Sequence, residues 1–135
     1  MTRSVSPIYL AIQRLCDDLG LPPPRPYSQD WAYELPEAYR TRSYLEKYLG
    51  AYEDASYGDV EKGLLMQLMV DITNEFLDDD SDDFDAAWEP LRALLKRDHA
   101  LHGELIEHWA HPGHPLEDAF ALAPFMRDLR AELGG

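Results

Sequence analysis

Residues 59–77, DVEKGLLMQLMVDITNEFL, decide the fold. Apolar side chains recur through this stretch at intervals of three and four residues, the spacing that brings side chains to one side of an α-helix. They cover a wide arc of the helix, which is typical of a helix that is buried over most of its surface. The stretch therefore predicts a central helix. Its apolar positions are Val60, Leu64, Leu65, Leu68, Met69, Ile72 and Phe76.

Four further helices are predicted on either side of this stretch from capping residues and apolar periodicity. Proline suits the start of a helix and glycine suits its end, as Pro7 and Gly20 do for the first helix. In the last helix Pro124 should produce a kink or a break. The helices predicted outside the central one are Pro7–Leu19, Pro36–Leu49, Pro90–Trp109 and Leu116–Leu133.

The pattern of elements predicts an all-α fold, because no alternating apolar and polar run of strand length occurs. Short connections favour antiparallel packing of neighbouring helices. We therefore expect residues 1–135 to form a single-domain antiparallel helical bundle of about five helices. The helical phases predict core residues at Leu68, Ile72, Leu95, Leu105, Trp109 and Phe120.

The charge balance of the chain is strongly acidic. It carries 26 Asp and Glu residues against 12 Lys and Arg residues, a formal net charge of −14. Such a charge repels the phosphates of nucleic acids and anionic lipid head groups, and it attracts basic proteins. The expected partner is therefore a protein, most simply a basic one, rather than a nucleic acid or a membrane. The sequence leaves the oligomeric state open.

The single cysteine, Cys16, excludes an intramolecular disulfide and falls on the apolar face of the first helix. The first six residues lack the apolar core of a signal peptide, and no apolar run is long enough to span a bilayer. Together these features predict a cytoplasmic location.

Polar residues share one narrow face of the central helix, because they are spaced by four, three, one and three residues. One interpretation is the solvent-facing side of an otherwise buried helix. The other is a carboxylate-rich surface that contacts a cation or a basic partner. The residues of this polar face are Gln67, Asp71, Asn74, Glu75 and Asp78.

Two polar residues interrupt the apolar stripe of the predicted fourth helix. Asp98 and His102 are one turn apart and fall in the middle of that stripe, so their side chains should meet on the buried side. A carboxylate beside an imidazole is the arrangement of an acid/base pair. The same pair also occurs as a structural contact that satisfies buried polar groups, and this is the interpretation we favour.

The acidic run after the central helix resembles part of an EF-hand calcium loop. Its matches to positions one, three, five and twelve of that loop are Asp78, Asp80, Asp82 and Glu89. At position six Asp83 replaces the glycine that the sharp turn of the loop needs. We therefore expect residues 78–85 to be exposed to solvent and to bind calcium at most weakly.

No motif for a catalytic nucleophile or a glycine-rich phosphate loop occurs, so we predict no catalytic residue, metal ligand or cofactor. The chain is predicted to be a protein-interaction module. The most specific version of this prediction is an immunity- or antitoxin-like protein that covers a basic partner. Two alternatives stay open. One is a weak calcium-binding protein, and the other is a small metal-dependent helical enzyme. The candidate residues for an interaction or polar site, which are also the ligands of the enzyme alternative, are Asp71, Glu75, Asp98 and His102.

Overall fold

A computed structural model describes residues 7–22, 31–111, 113, 115 and 119–134. These residues form helices, and none of them lies in a strand, so the all-α prediction is confirmed for the described chain. A 3-10 turn, Glu37–Tyr39, precedes the third helix. The α-helices are α1 (Pro7–Leu19), α2 (Trp31–Glu34), α3 (Arg42–Tyr52), α4 (Asp59–Asp78), α5 (Asp83–Arg97), α6 (His99–Ala110) and α7 (Ala123–Glu132).

The chain divides into two compact units, Met1–Met69 and Val70–Gly135. The first unit contains α1, α2 and α3, and the second contains α5, α6 and α7. The central helix α4 begins in the first unit and ends in the second. None of the helices in the described part of the chain is both long enough and apolar enough to cross a membrane.

Helix α1 has the predicted bounds, and Gly20 ends it with a φ of 68°, in the left-handed region that glycine adopts without strain. The backbone N–H of Leu21 donates to the carbonyl of Cys16 at 2.9 Å, which closes the end of the helix. The predicted apolar face is buried except at Ile8, which is 54% exposed. The buried residues of α1 are Ala11, Ile12, Leu15, Cys16 and Leu19.

The predicted helix Pro36–Leu49 is wrong at both ends. The backbone of Thr41 is extended, and its side chain accepts a hydrogen bond from the backbone N–H of Tyr44 at 3.3 Å. This N-cap makes α3 begin at Arg42, and the helix continues to Tyr52, whose ring is fully buried. The buried Tyr48 joins α3 to the preceding 3-10 turn, because its hydroxyl donates to the carbonyl of Tyr39 at 2.7 Å.

Arg14 ties α1 to the connection between α3 and α4. Its guanidinium donates to the carbonyl and the hydroxyl of Ser56, at 2.9 and 2.7 Å, and it lies 4.6 Å from the centre of the Tyr57 ring. The hydroxyl of Tyr57 in turn donates to Asp18 at 2.7 Å. Burial, and next the hydrogen bond to Asp18, raise the pKa of Tyr57 to about 12. These contacts are structural ties within the first unit.

The central helix α4 confirms the prediction from residues 59–77, because it spans Asp59–Asp78 and is largely buried. Val60, in its first turn, is 40% exposed, and Leu64 and Phe76 are half-buried. The fully buried residues of α4 are Leu65, Met66, Leu68, Met69, Val70, Ile72 and Thr73.

The predicted helix Pro90–Trp109 is two helices. At Asp98 the backbone leaves the helical region, with a ψ of 31°, and the residue ends α5 and begins α6. Helix α5 also begins seven residues before the predicted start, at Asp83, so Pro90 lies inside it. Proline removes one backbone hydrogen bond, to the carbonyl of Ala86, and both residues are exposed, so water can reach that carbonyl.

The predicted last helix, Leu116–Leu133, is shorter in the structure: residues 119–122 are not helical, α7 begins at Ala123, and residues 116–118 lie outside the described chain. Pro124 stands in the first turn of α7, where proline is well tolerated. Helix α7 packs against the end of α6, where Arg127 donates to the carbonyls of Ala110 and His111, both at 2.6 Å. Arg130, one turn later, pairs with Glu107, one turn earlier. Later residues of α7 thus meet earlier residues of α6, the order expected of two antiparallel helices.

Four of the six predicted core residues are buried: Leu68, Ile72, Leu95 and Trp109. Leu105 and Phe120 are only partly buried, so their assignment to the core was wrong. The break at Asp98 explains why Leu105 is not in the core. The prediction assumed one continuous helix, but the helical phase of α5 does not continue into α6. The buried face of α6 consists of His102, Ile106, Trp109 and Ala110.

Candidate functional site

The end of α4 and the start of α5 form an acidic turn, residues 78–85. The prediction that this segment is exposed is confirmed for most of it, although Phe84 is buried and Ser81 and Asp83 are half-buried. Glu89 extends the exposed charge along α5, because it lies one turn after Asp85 on the same face. We call these exposed carboxylates the acidic surface: Asp78, Asp79, Asp80, Asp82, Asp85 and Glu89.

Asp80 holds the backbone in an unusual conformation. Its φ is 54°, in the left-handed region that disfavours residues with a β-carbon. The backbone N–H of Ser81 donates to the carbonyl of Phe76 at 2.8 Å, and that of Asp80 donates to the carbonyl of Leu77 at 3.2 Å. This pair of bonds is the Schellman motif, in which the position of Asp80 is usually occupied by glycine.

The charges at the two ends of the turn have opposite effects on local stability. Asp82, Asp83 and Asp85 stand at the start of α5, where the helix dipole stabilises negative charge. Asp78, Asp79 and Asp80 stand at the end of α4, where the dipole disfavours negative charge. The helix dipole therefore explains why aspartates occur at the start of α5, but it does not explain why they occur at the end of α4.

The acidic surface lies in a long stretch without positive charge. Between Gly63 and Leu91 the chain carries nine acidic residues and no Lys, Arg or His. Intrachain ion pairs within this stretch are therefore impossible, and its carboxylates act together as one source of negative potential. The lack of basic residues between Gly63 and Leu91 is visible in the sequence alone, but none of the motifs considered above includes it.

An aromatic cluster fixes the face of α5 next to the one that carries Asp85 and Glu89. The rings of Phe84 and Trp88 stack with centres 6.3 Å apart, and Phe125 of α7 meets the Phe84 ring edge-on at 4.9 Å. Phe84 and Trp88 are buried, so the first two turns of α5 are anchored to α7. The backbone that carries Asp85 and Glu89 is therefore held in place by this packing.

Asp71 and Glu75 of the polar face of α4 are half-buried, as are Gln67 and Asn74, and only Asp78 is exposed. The face is therefore only partly exposed to solvent before its last residue. Asn74 shows one reason, because its side-chain oxygen accepts a hydrogen bond from the backbone N–H of Leu122 at 3.0 Å. Leu122 directly precedes α7, so this part of the polar face holds the start of that helix.

Asp98 and His102 do not share one continuous helix, which corrects the prediction, because the chain breaks at Asp98. The carboxylate of Asp98 is half-buried and accepts two hydrogen bonds from Arg97, at 2.8 and 3.1 Å. His102 is 2% exposed, so its predicted burial is confirmed. A direct contact between Asp98 and His102 stays a prediction.

The described residues do not gather a metal-binding set. Among them, no three His, Cys, Asp or Glu side chains are grouped so that they could hold a metal ion. Asp71, Glu75, Asp98 and His102 all belong to the described chain, so the structure does not bring them together as the ligands of the enzyme alternative.

The resemblance to an EF-hand loop also fails on backbone geometry. Helix α5 begins at Asp83, which is position six of that loop, and it includes Glu89 at position twelve. An EF-hand needs an open loop through position nine, so that a backbone carbonyl and side chains can turn toward the ion. In a regular helix over positions six to twelve, the backbone carbonyls form helical hydrogen bonds and do not turn toward an ion.

No protein-family model, no curated protein sequence and no solved structure matches the chain. The function is therefore inferred from the charges and contacts of the chain itself.

Proposed function

We propose that the chain is a protein-interaction module that binds a basic protein through its acidic surface, in the manner of an immunity protein or an antitoxin. The observation that carries this proposal is the concentration of exposed carboxylates around the acidic turn, within a stretch that has no basic residue. A partner with clustered Lys and Arg side chains would supply the positive charges that the stretch lacks.

The energetics of the turn support the proposal. Asp80 adopts a conformation that suits glycine, and three carboxylates crowd the unfavourable end of α4. Both features reduce stability locally. Sites that bind partners often retain such costs, because the interaction needs residues that the fold would not choose.

The chemistry of the proposed interaction is electrostatic steering followed by ion pairing. Charges of one sign on a surface raise the rate at which an oppositely charged protein associates, and added salt removes this effect. Because packing against α7 anchors α5, Asp85 and Glu89 stand on a backbone that is already ordered before the partner arrives. The proposal therefore predicts fast association that slows steeply with ionic strength.

The experiment first captures partners from an extract of the source cells on the immobilised full chain, and it identifies proteins that salt elutes. Association rates of the purified partner are then measured by surface plasmon resonance at several salt concentrations. The test variant changes three members of the acidic surface, Asp78→Asn, Asp79→Asn and Asp82→Asn. We expect it to associate about tenfold more slowly at low salt, with a weaker salt dependence.

A matched control removes the same amount of charge elsewhere. Asp17→Asn, Glu104→Gln and Asp128→Asn neutralise three exposed carboxylates in α1, α6 and α7. Both triple variants lower the net negative charge by three, so a general charge effect would slow them equally. Equal slowing would contradict a localised binding surface, and failure to capture any basic protein would contradict the proposed partner class.

Two finer expectations from the sequence are also proposals. One is the arrangement of about five helices as an antiparallel bundle in a single domain, which the contacts between α6 and α7 support for that pair. The other is a cytoplasmic location, supported by the single, buried cysteine.

A further inference from the structure

We draw no further inference here: the strongest candidate, the buried indole N–H of Trp109 in the aromatic cluster at the end of α6, carries nothing because it is a single donor packed among the rings of His108, His111 and Phe120, with no second observation that points to a ligand.

Discussion

Replacing Asp80 with glycine should stabilise the protein. The left-handed backbone of Asp80 costs about 1 kcal/mol for a residue with a β-carbon, and glycine removes that cost. Removing a negative charge from the end of α4 adds about 0.3–1 kcal/mol. The glycine variant loses about 0.5–1 kcal/mol of this gain, because glycine increases the conformational entropy of the unfolded chain. The expected net gain in the free energy of unfolding is about 0.3–1.5 kcal/mol.

Urea denaturation followed by circular dichroism measures this gain as a shift in the midpoint. In a thermal melt the same gain corresponds to roughly 1–5 °C for a chain of 135 residues. Two further variants separate charge from conformation. Asp80→Asn removes the charge and keeps a side chain that tolerates the left-handed region, whereas Asp80→Ala removes the charge and keeps an unfavourable β-carbon.

The expected order of stability is glycine, then asparagine, then alanine. If the glycine variant is no more stable than the alanine variant, the backbone of residue 80 is not left-handed in solution, and the Schellman interpretation is refuted. The same variants bear on the proposed function. If Asp80 contributes to binding, the glycine variant should gain stability and associate more slowly with a basic partner.

Three other outcomes follow from the contacts described above. Asn74→Ala should lower the free energy of unfolding by about 1–2 kcal/mol in urea titrations, because the start of α7 loses its side-chain acceptor, whereas a parental midpoint would contradict that role. Tyr57→Phe should be less stable than the parent at neutral pH. Since folding raises the pKa of Tyr57 to about 12, from an ordinary value of 10.0, the stabilisation by its hydroxyl is complete below pH 10 and is lost as the pH rises through 12. The difference between Tyr57→Phe and the parent should therefore shrink over that range, and a constant difference in unfolding midpoints would show that folding does not raise the pKa of Tyr57. Calcium titration calorimetry should find no tight site in the acidic turn, and micromolar affinity abolished by Asp78→Ala would overturn the conclusion drawn from the helical start of α5.

The helices themselves could be predicted where the local signals agreed. For α1, a proline start, a glycine stop and an apolar face gave the observed bounds, Pro7–Leu19. For α4, the breadth of the apolar arc predicted a buried helix, because burial on most sides requires apolar residues on most sides. The exposure of most of the acidic turn could also be predicted, because carboxylates lose favourable solvation when they are buried.

The candidate site was only partly predictable. The acidic residues and their lack of basic neighbours are properties of the sequence alone. The left-handed backbone of Asp80 is not, because no glycine or asparagine marks the position and the conformation follows from how the end of α4 is closed. The partial burial of the polar face also required the structure, because the partner of Asn74 is the backbone of Leu122, 48 residues later in the chain.

The sequence by itself determined the all-helical class, the acidic charge and the buried central helix, because these depend on residue type and local periodicity. Tertiary structure alone decided where α5 ends and α6 begins. Neither proline nor glycine marks Asp98, yet α6 starts anew there and packs against α7. A helix break of this kind exchanges a few local hydrogen bonds for burial against a distant segment, and the position of that segment is not encoded in the residues around the break.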